Sequence, residues 1–128
     1  MLDHLGITVL DFDRSVAFYK KALAPLSIVA IKELTAADTG ADAHVGFGCD
    51  GKPFFWIGDG AQPRGTIHIA FRAANRSAVE AFYRAALAAG GRDNGPPGPR
   101  KHYHPNYFGA FVLDPDGNNV EAVCHKPE

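Results

Sequence analysis

The sequence predicts an α+β fold built from two similar halves. Three observations support this: the halves align without a gap, each contains one amphipathic helix, and each contains several short strand-like segments. The alignment needs an offset of 64 residues, half of the 128-residue chain. The identical pairs are His4 with His68, Ala17 with Ala81, Phe18 with Phe82, Tyr19 with Tyr83, Ala22 with Ala86 and Leu23 with Leu87. We therefore expect one domain over residues 1–128, with module one at about 1–64 and module two at about 65–128.

Each module is predicted to contain one helix after its first strand. Apolar residues recur there every three or four positions, which is typical of a helix with one buried face. In module one these residues are Val16, Phe18, Tyr19, Ala22 and Leu23, and Pro25 ends the helix. In module two they are Val79, Phe82, Tyr83, Ala86 and Leu87. Ser77 and Glu80 are predicted to form a capping box at the start of this helix, and Gly90 and Gly91 are predicted to end it.

The remaining segments read mainly as short strands, rich in β-branched and aromatic residues. Module one contains "HLGITV" (4–9), "LSIVAIKEL" (26–34), "HVGFGC" (44–49) and "FFWIG" (54–58). Module two contains "TIHIAF" (66–71), "NYFGAFVL" (106–113) and "NNVEAVCH" (118–125), the last two joined by the turn "DPDG" at 114–117. Each module thus reads as a strand, a helix and about three further strands, with helices packed on one side of a curved sheet.

Composition and charge favour a small molecule as the partner. A net charge of −1 disfavours nucleic acid and anionic membranes, because such partners require a basic face. No apolar run is long enough to span a membrane and no leader-like segment opens the chain, so a cytoplasmic location is expected. Cys49 and Cys124 are too few for a disulfide framework and are expected to be reduced.

Strand alternation predicts that three possible metal ligands avoid the helix-covered side of the sheets. In the strand "TIHIAF" (66–71), Ile69 and its alternate neighbours are expected to point towards the helices, so His68 points away. The same reasoning directs His4 and Glu121 away from the helices. If the sheets curve around one cleft, two histidines and one carboxylate can bind one side of a divalent ion and leave its other positions open.

At these residues the chain resembles the vicinal oxygen chelate superfamily, also called the glyoxalase, bleomycin-resistance and dioxygenase superfamily. The resemblance rests on the strands that carry His4 and His68, on "SVAFYKKAL" (15–23) and on "DPDGNNVEAV" (114–123), and covers essentially the whole chain. It implies two tandem βαβββ modules whose eight strands form an incomplete barrel around a divalent ion, with the helices on the outside. It also implies a homodimer.

The resemblance further implies metal ligands on the first and last strand of each module. His4, His68 and Glu121 match three of the four positions, and the offset of 64 assigns Ile57 to the fourth. Glyoxalase I has four protein ligands, so this chain departs from it. A set of three is similar to the extradiol ring-cleaving dioxygenases, which use iron(II) or manganese, and to the fosfomycin-modifying thiol transferases, which use manganese. Iron(II) or manganese is therefore favoured, with zinc, nickel and cobalt as alternatives.

The segment "RKHYHPNY" (100–107) contains a second pair of histidines and follows the glycine- and proline-rich run "GGRDNGPPGP" (90–99). Two histidines could bind zinc, but they need a third ligand and firm support. The composition indicates a mobile loop at the mouth of the scaffold, where binding residues are common. We therefore predict His102, His104 and Tyr107 as catalytic residues that supply acid and base groups or contact the substrate. The alternative is that the tyrosines only pack the loop.

Two classes of function are compatible with the sequence. The favoured one is a divalent-metal-dependent enzyme whose small substrate binds the ion through two vicinal oxygens. An extradiol-dioxygenase-like reaction leads, and lyase, isomerase or thiol transferase chemistry stays open. The alternative is a metal-free protein that sequesters a small drug, as in bleomycin resistance. The three retained ligands favour the enzyme, because a pure binder does not need them.

Overall fold

A computed structural model describes residues 2–40, 42–60 and 65–128. The elements of module one are β1 (Leu5–Val9), α1 (Phe12–Leu23), a 3-10 turn (Ala24–Leu26), β2 (Val29–Leu34), α2 (Ala36–Thr39), β3 (His44–Cys49) and β4 (Lys52–Asp59). Those of module two are β5 (His68–Arg72), α3 (Arg76–Ala88), β6 (Arg92–Pro99), β7 (Phe108–Leu113) and β8 (Asn119–Cys124). The expected boundary between the modules, at 64, lies outside the described residues.

The strands form two four-stranded sheets with the same connectivity, in the orders β1-β4-β3-β2 and β5-β8-β7-β6. In each sheet the first strand pairs in parallel with the last, and the other neighbours pair antiparallel. The predicted α+β fold of two tandem βαβββ modules is therefore confirmed. The sheets do not close into a barrel, in agreement with the incomplete barrel that the resemblance implied.

The helices cover one face of each sheet and contact each other. Helix α1 packs on β4, α3 packs on β6, β7 and β8, and α1 also touches α3. Most of the apolar residues predicted for this layer are buried, including Phe18, Leu23, Phe82 and Phe71, whereas Leu5 is 38% exposed. One core therefore joins the two modules and leaves the other face of each sheet available for a site. Within the described ranges, no helix is both long and apolar enough to span a membrane.

Two local predictions for module two are wrong. Helix α3 begins with Asn75 as its N-cap, whose side chain accepts a hydrogen bond from the Ala78 amide, so Ser77 does not cap it. The glycine- and proline-rich run is not a loop either, because residues 92–99 form β6. Proline is tolerated there because β6 is the outermost strand of its sheet, so one side of it needs no partner. Its pairing with β7 is also irregular, so not every residue has to donate a hydrogen bond to β7.

A buried carboxylate joins α1 to the last turn of module two. Asp114 is 2% exposed, and its Oδ2 atom accepts hydrogen bonds from the Tyr19 hydroxyl at 2.7 Å and from the Asn118 amide side chain at 2.9 Å. Its Oδ1 atom accepts from the backbone amides of Asp116 and Asn118 at 2.9 and 2.8 Å. Asn118 in turn accepts from the Ile67 amide at 3.0 Å, directly before β5. The turn thus fixes β5 against β8.

We predict that Tyr19→Phe lowers the free energy of unfolding by about 1–3 kcal/mol, because a buried carboxylate loses a donor that water does not replace. The matched control is Tyr83→Phe at the equivalent position of α3, where the ring is only half-buried. Its effect should be smaller. Urea denaturation of both variants measures this, and equal losses would contradict the role given to the junction.

The same contact predicts a dependence on alkaline pH. Burial, followed by the charge and hydrogen bond of Asp114, raises the pKa of Tyr19 well above its ordinary value. Between the ordinary pKa of about 10 and the raised value, the unfolded chain releases a proton that the folded protein retains. The stabilisation is therefore complete below that range and is lost as the pH rises. Unfolding free energy measured across it should fall less steeply in Tyr19→Phe than in the wild type.

Candidate metal centre

The structure brings His68 and Glu121 together on the open face of the second sheet. The His68 Nε2 atom lies 3.2 Å from the Glu121 Oε1 atom. The His68 Nδ1 atom lies 3.1 Å from the Asn119 carbonyl oxygen, which can only accept, so Nδ1 donates. In the neutral imidazole, Nε2 then presents a lone pair to the carboxylate. Two such acceptors repel each other unless a proton or a metal cation lies between them.

Glu121 is buried and held by neighbouring residues. It is 1% exposed, and the Tyr107 hydroxyl donates a hydrogen bond to its Oε2 atom. Gly109, on the neighbouring strand, provides the space for this contact. A Cβ atom there would lie 3.1 Å from the Tyr107 ring and 3.3 Å from Oε2. The carboxylate therefore has one oxygen fixed by Tyr107 and the other directed at His68.

Tyr107 lies at the end of a compact turn. The turn is closed by hydrogen bonds from the Arg100 amide to the Tyr107 carbonyl at 2.8 Å and from the Tyr107 amide to the His104 carbonyl at 3.0 Å. The ring contacts Tyr103 and His125 edge-on, with centroids 5.1 and 5.0 Å away. Burial, assisted by the hydrogen bond and charge of Glu121, raises the pKa of Tyr107 far above its usual range. The hydroxyl is therefore a donor at neutral pH.

His4 lies on the other module, just before β1. Its Nδ1 atom is 2.8 Å from Asp3 Oδ1, and Asp3 Oδ2 accepts from Lys52 Nζ at 2.6 Å. The Lys52 hydrogen bond, followed by that of His4, lowers the pKa of Asp3 to about 2. An ionised carboxylate on Nδ1 leaves Nε2 of His4 free, which is how ligand histidines are commonly oriented. The described residues contain no cluster of three or more His, Cys, Asp or Glu side chains placed for one ion.

The other predicted catalytic residues lie on the surface of the 100–107 turn. The His102 ring is 4.1 Å from the Tyr103 ring, and the His104 ring is 5.4 Å from the His125 ring. His104 Nδ1 also accepts a hydrogen bond from the Asn106 amide at 3.0 Å. Of the three residues predicted as catalytic, Tyr107 is the one with a direct contact to a predicted ligand.

Strand register corrects the assignment of Ile57 to the fourth ligand position. In module two, Glu121 on β8 lies beside Ala70 on β5. The equivalent of Ala70 in module one is Gly6, and its neighbour on β4 is Trp56. Module two has one more residue between Ala70 and Glu121 than module one has between Gly6 and Trp56, and an alignment without gaps cannot account for it. Ile57 is fully buried in the core, whereas Trp56 is half-buried and lies at the position equivalent to Glu121.

Sequence reasoning missed the residues that support the candidate ligands. Asp3 could have been found, since a carboxylate next to a candidate ligand histidine is visible in the sequence. The Asn119 carbonyl and Gly109 carry no such signal, because their roles depend on strand register. Phe111, whose ring stacks on His68 with centroids 6.3 Å apart, is likewise placed by register. It pairs with Glu121 across the β7–β8 ladder.

Comparison with known proteins identifies the family. Residues 1–122 match the model of the Glyoxalase/Bleomycin resistance protein/Dioxygenase superfamily, and the chain belongs to that superfamily. No curated protein matches the chain. Among solved structures, a glyoxalase/bleomycin resistance protein from Albidiferax ferrireducens T118 is 26% identical, with a TM-score of 0.77 and 99% of each chain covered.

Two structures of named proteins share the fold at lower identity. Glyoxalase I from Zea mays is 23% identical with a TM-score of 0.68, and the match covers 95% of this chain and 46% of that one. The fosfomycin resistance protein FosX from Listeria monocytogenes is 19% identical with a TM-score of 0.68, covering 95% and 87%. That FosX structure contains Mn(II) and 1S,2S-dihydroxypropylphosphonic acid.

We predict that Tyr107 releases its proton well above the ordinary tyrosine pKa of about 10. The difference between tyrosinate absorbance titrations of the wild type and Tyr107→Phe isolates this group, with circular dichroism recorded in parallel to verify folding. In a Glu121→Gln background the same difference should move to lower pH, because the neighbouring negative charge is gone. An unshifted midpoint in the wild type would show that the hydroxyl does not face Glu121 in solution.

Proposed function

We propose that this protein is a divalent-metal-dependent enzyme in which His4, His68 and Glu121 hold the ion. Its substrate is a small molecule that binds the ion through two vicinal oxygens, and extradiol-type ring cleavage is the leading reaction. The observation that carries the proposal is the close approach of the His68 Nε2 atom to the Glu121 Oε1 atom at 3.2 Å. Membership of the superfamily supports it.

The donor set fits a divalent ion. Two ligand atoms that bind one ion at right angles, each about 2.1 Å from it, lie about 3 Å apart, close to the observed separation. Both histidines have Nδ1 engaged with an acceptor and Nε2 left for a metal. Two imidazoles and one carboxylate suit iron, manganese or zinc and leave positions open for substrate. When bound, the ion supplies Lewis-acid stabilisation of negative charge on the substrate oxygens.

The chain's own residues would prepare this chemistry. Tyr107 fixes one oxygen of Glu121, so the carboxylate does not need to reorganise when the substrate arrives. The half-buried Phe111 ring beside His68 shields one side of the centre from water. We keep His102 and His104 as proposed substrate contacts, because they lie on the turn that ends at Tyr107. FosX bound to Mn(II) and a vicinal diol is a precedent within the same fold.

We predict that the purified protein binds about one equivalent of Mn(II) or Co(II) per site, measured by equilibrium dialysis. His68→Ala should weaken binding by more than about 100-fold, beyond the 10- to 100-fold cost of losing an outer partner. His4→Ala should act in the same direction. Oxygen uptake with catechols, and thiol-dependent assays with methylglyoxal, then distinguish the reactions.

His44→Ala is the matched control for these variants. The His44 Nδ1 atom also lies near a backbone carbonyl, that of Asp42 at 2.9 Å, and the ring packs on Gly58. It should leave metal binding unchanged. If the wild type takes up no divalent metal, the enzyme proposal fails and the metal-free drug-binding alternative takes its place. If His44→Ala and His68→Ala weaken binding equally, the ligand assignment is wrong.

We further propose that the active protein is a homodimer in which one copy supplies His4 and the other supplies His68 and Glu121. His4 precedes β1, the outermost strand of its sheet, and β5 is the outermost strand of the other. Leu2, Leu5 and Leu10, in and around β1, are exposed large apolar residues. Such an edge favours association with another copy.

Mixing two inactive variants tests this arrangement. If ligands are shared between copies, His4→Ala and His68→Ala subunits exchanged by mild denaturation and refolding should regain about a quarter of the wild-type sites, because half of the dimers are mixed and each has one intact site. If each chain builds its own site, every site keeps one defect and nothing is regained. Metal content of the refolded mixture measures the outcome.

A further inference from the structure

Trp56 lies where the second module carries its metal-binding carboxylate. The pairs Gly6 with Trp56 and Ala70 with Glu121 are equivalent in the two modules. On its other side, each of these two residues pairs with the corresponding strand of its sheet: Trp56 with Gly46 on β3, and Glu121 with Phe111 on β7. Trp56 therefore belongs to the open face of the first sheet, as Glu121 belongs to the open face of the second.

The indole lies against a glycine. A Cβ atom added at Gly46 would lie 2.9 Å from both Cη2 and Cζ2 of Trp56, and 2.9 Å from the Pro53 side chain. The Trp56 side chain is half-buried, so part of it stays accessible. No other aromatic ring stacks on it within the described part of the chain. A partly accessible indole packed against the sheet is suited to stacking on a planar ring.

We infer that Trp56 forms an aromatic wall of the metal site, at the place of a fourth protein ligand, and that it stacks on a planar ring of the substrate. The inference rests on the proposed function, because Trp56 borders the ion only if both open faces contribute to one centre. A tryptophan cannot bind the ion, so the coordination position stays open for substrate oxygens. The wall thus narrows the substrate class to vicinal oxygens carried on an aromatic ring.

The test uses Trp56 as its own reporter, because the chain contains one tryptophan. Co(II) quenches indole emission at short range, whereas Zn(II), with a filled d shell, occupies a site without quenching. We expect saturable quenching by Co(II), its reversal by excess Zn(II), and its loss in His68→Ala. Binding of Co(II), verified by dialysis, without a change in emission would overturn the inference while leaving the metal site intact. Absence of metal binding would overturn both.

Ligand affinity for the Zn(II)-loaded protein tests the stacking separately. Catechol and propane-1,2-diol both present two vicinal oxygens, but only catechol has a ring. Trp56→Ala should weaken catechol binding about three- to tenfold, the range expected for an aromatic pair, and leave the diol unchanged. Trp56→Phe should retain most of the catechol affinity. Equal losses for both ligands, or no loss for catechol, would show that Trp56 does not stack on the substrate ring.

Discussion

The hydrogen bonds that the buried carboxylate of Asp114 accepts are the interaction on which the candidate site most depends. Four donors satisfy this carboxylate: the Tyr19 hydroxyl, the Asn118 side chain, and the backbone amides of Asp116 and Asn118. A buried carboxylate is tolerated only with such partners. Because Tyr19 belongs to the first helix, the same group that shapes the last turn also ties the two modules together.

The 114–117 turn also determines which residues of β5 and β8 lie side by side. Asn118 accepts from the Ile67 amide, and the Asn119 amide donates to the Ile67 carbonyl at 3.0 Å. These bonds set the parallel register that places His68 beside Asn119. A slip of one residue would turn Glu121 towards the helices and leave an unpaired carboxylate in the core. The distance between His68 and Glu121 is thus determined by the turn that directly precedes β8 and by its bonds to Ile67, directly before β5.

Much of the fold could be predicted from the sequence, because helix periodicity and strand alternation are local patterns. The failures have physical causes. The composition of 92–99 predicts a loop, yet an edge strand tolerates proline because one side of its ladder needs no partner. Asn75 and Ser77 are both good caps, and the local sequence does not decide between them. At the site, alternation directed Glu121 away from the helices, but a gapless offset could not detect the extra residue that brings Trp56, rather than Ile57, to the equivalent position.

The turn at 100–107 shows why residue type alone is a poor guide to function. Its histidines attract attention as ligands, yet both are exposed and lie on the outside of the turn. Tyr107 is less conspicuous, but its backbone hydrogen bonds close the turn, and it directly precedes β7. Because Gly109 has no side chain, the phenol can lie across the strand and reach Glu121. A disturbance of the turn would therefore reach Glu121 through Tyr107, since among the described residues Tyr107 is hydrogen-bonded both within the turn and to Glu121.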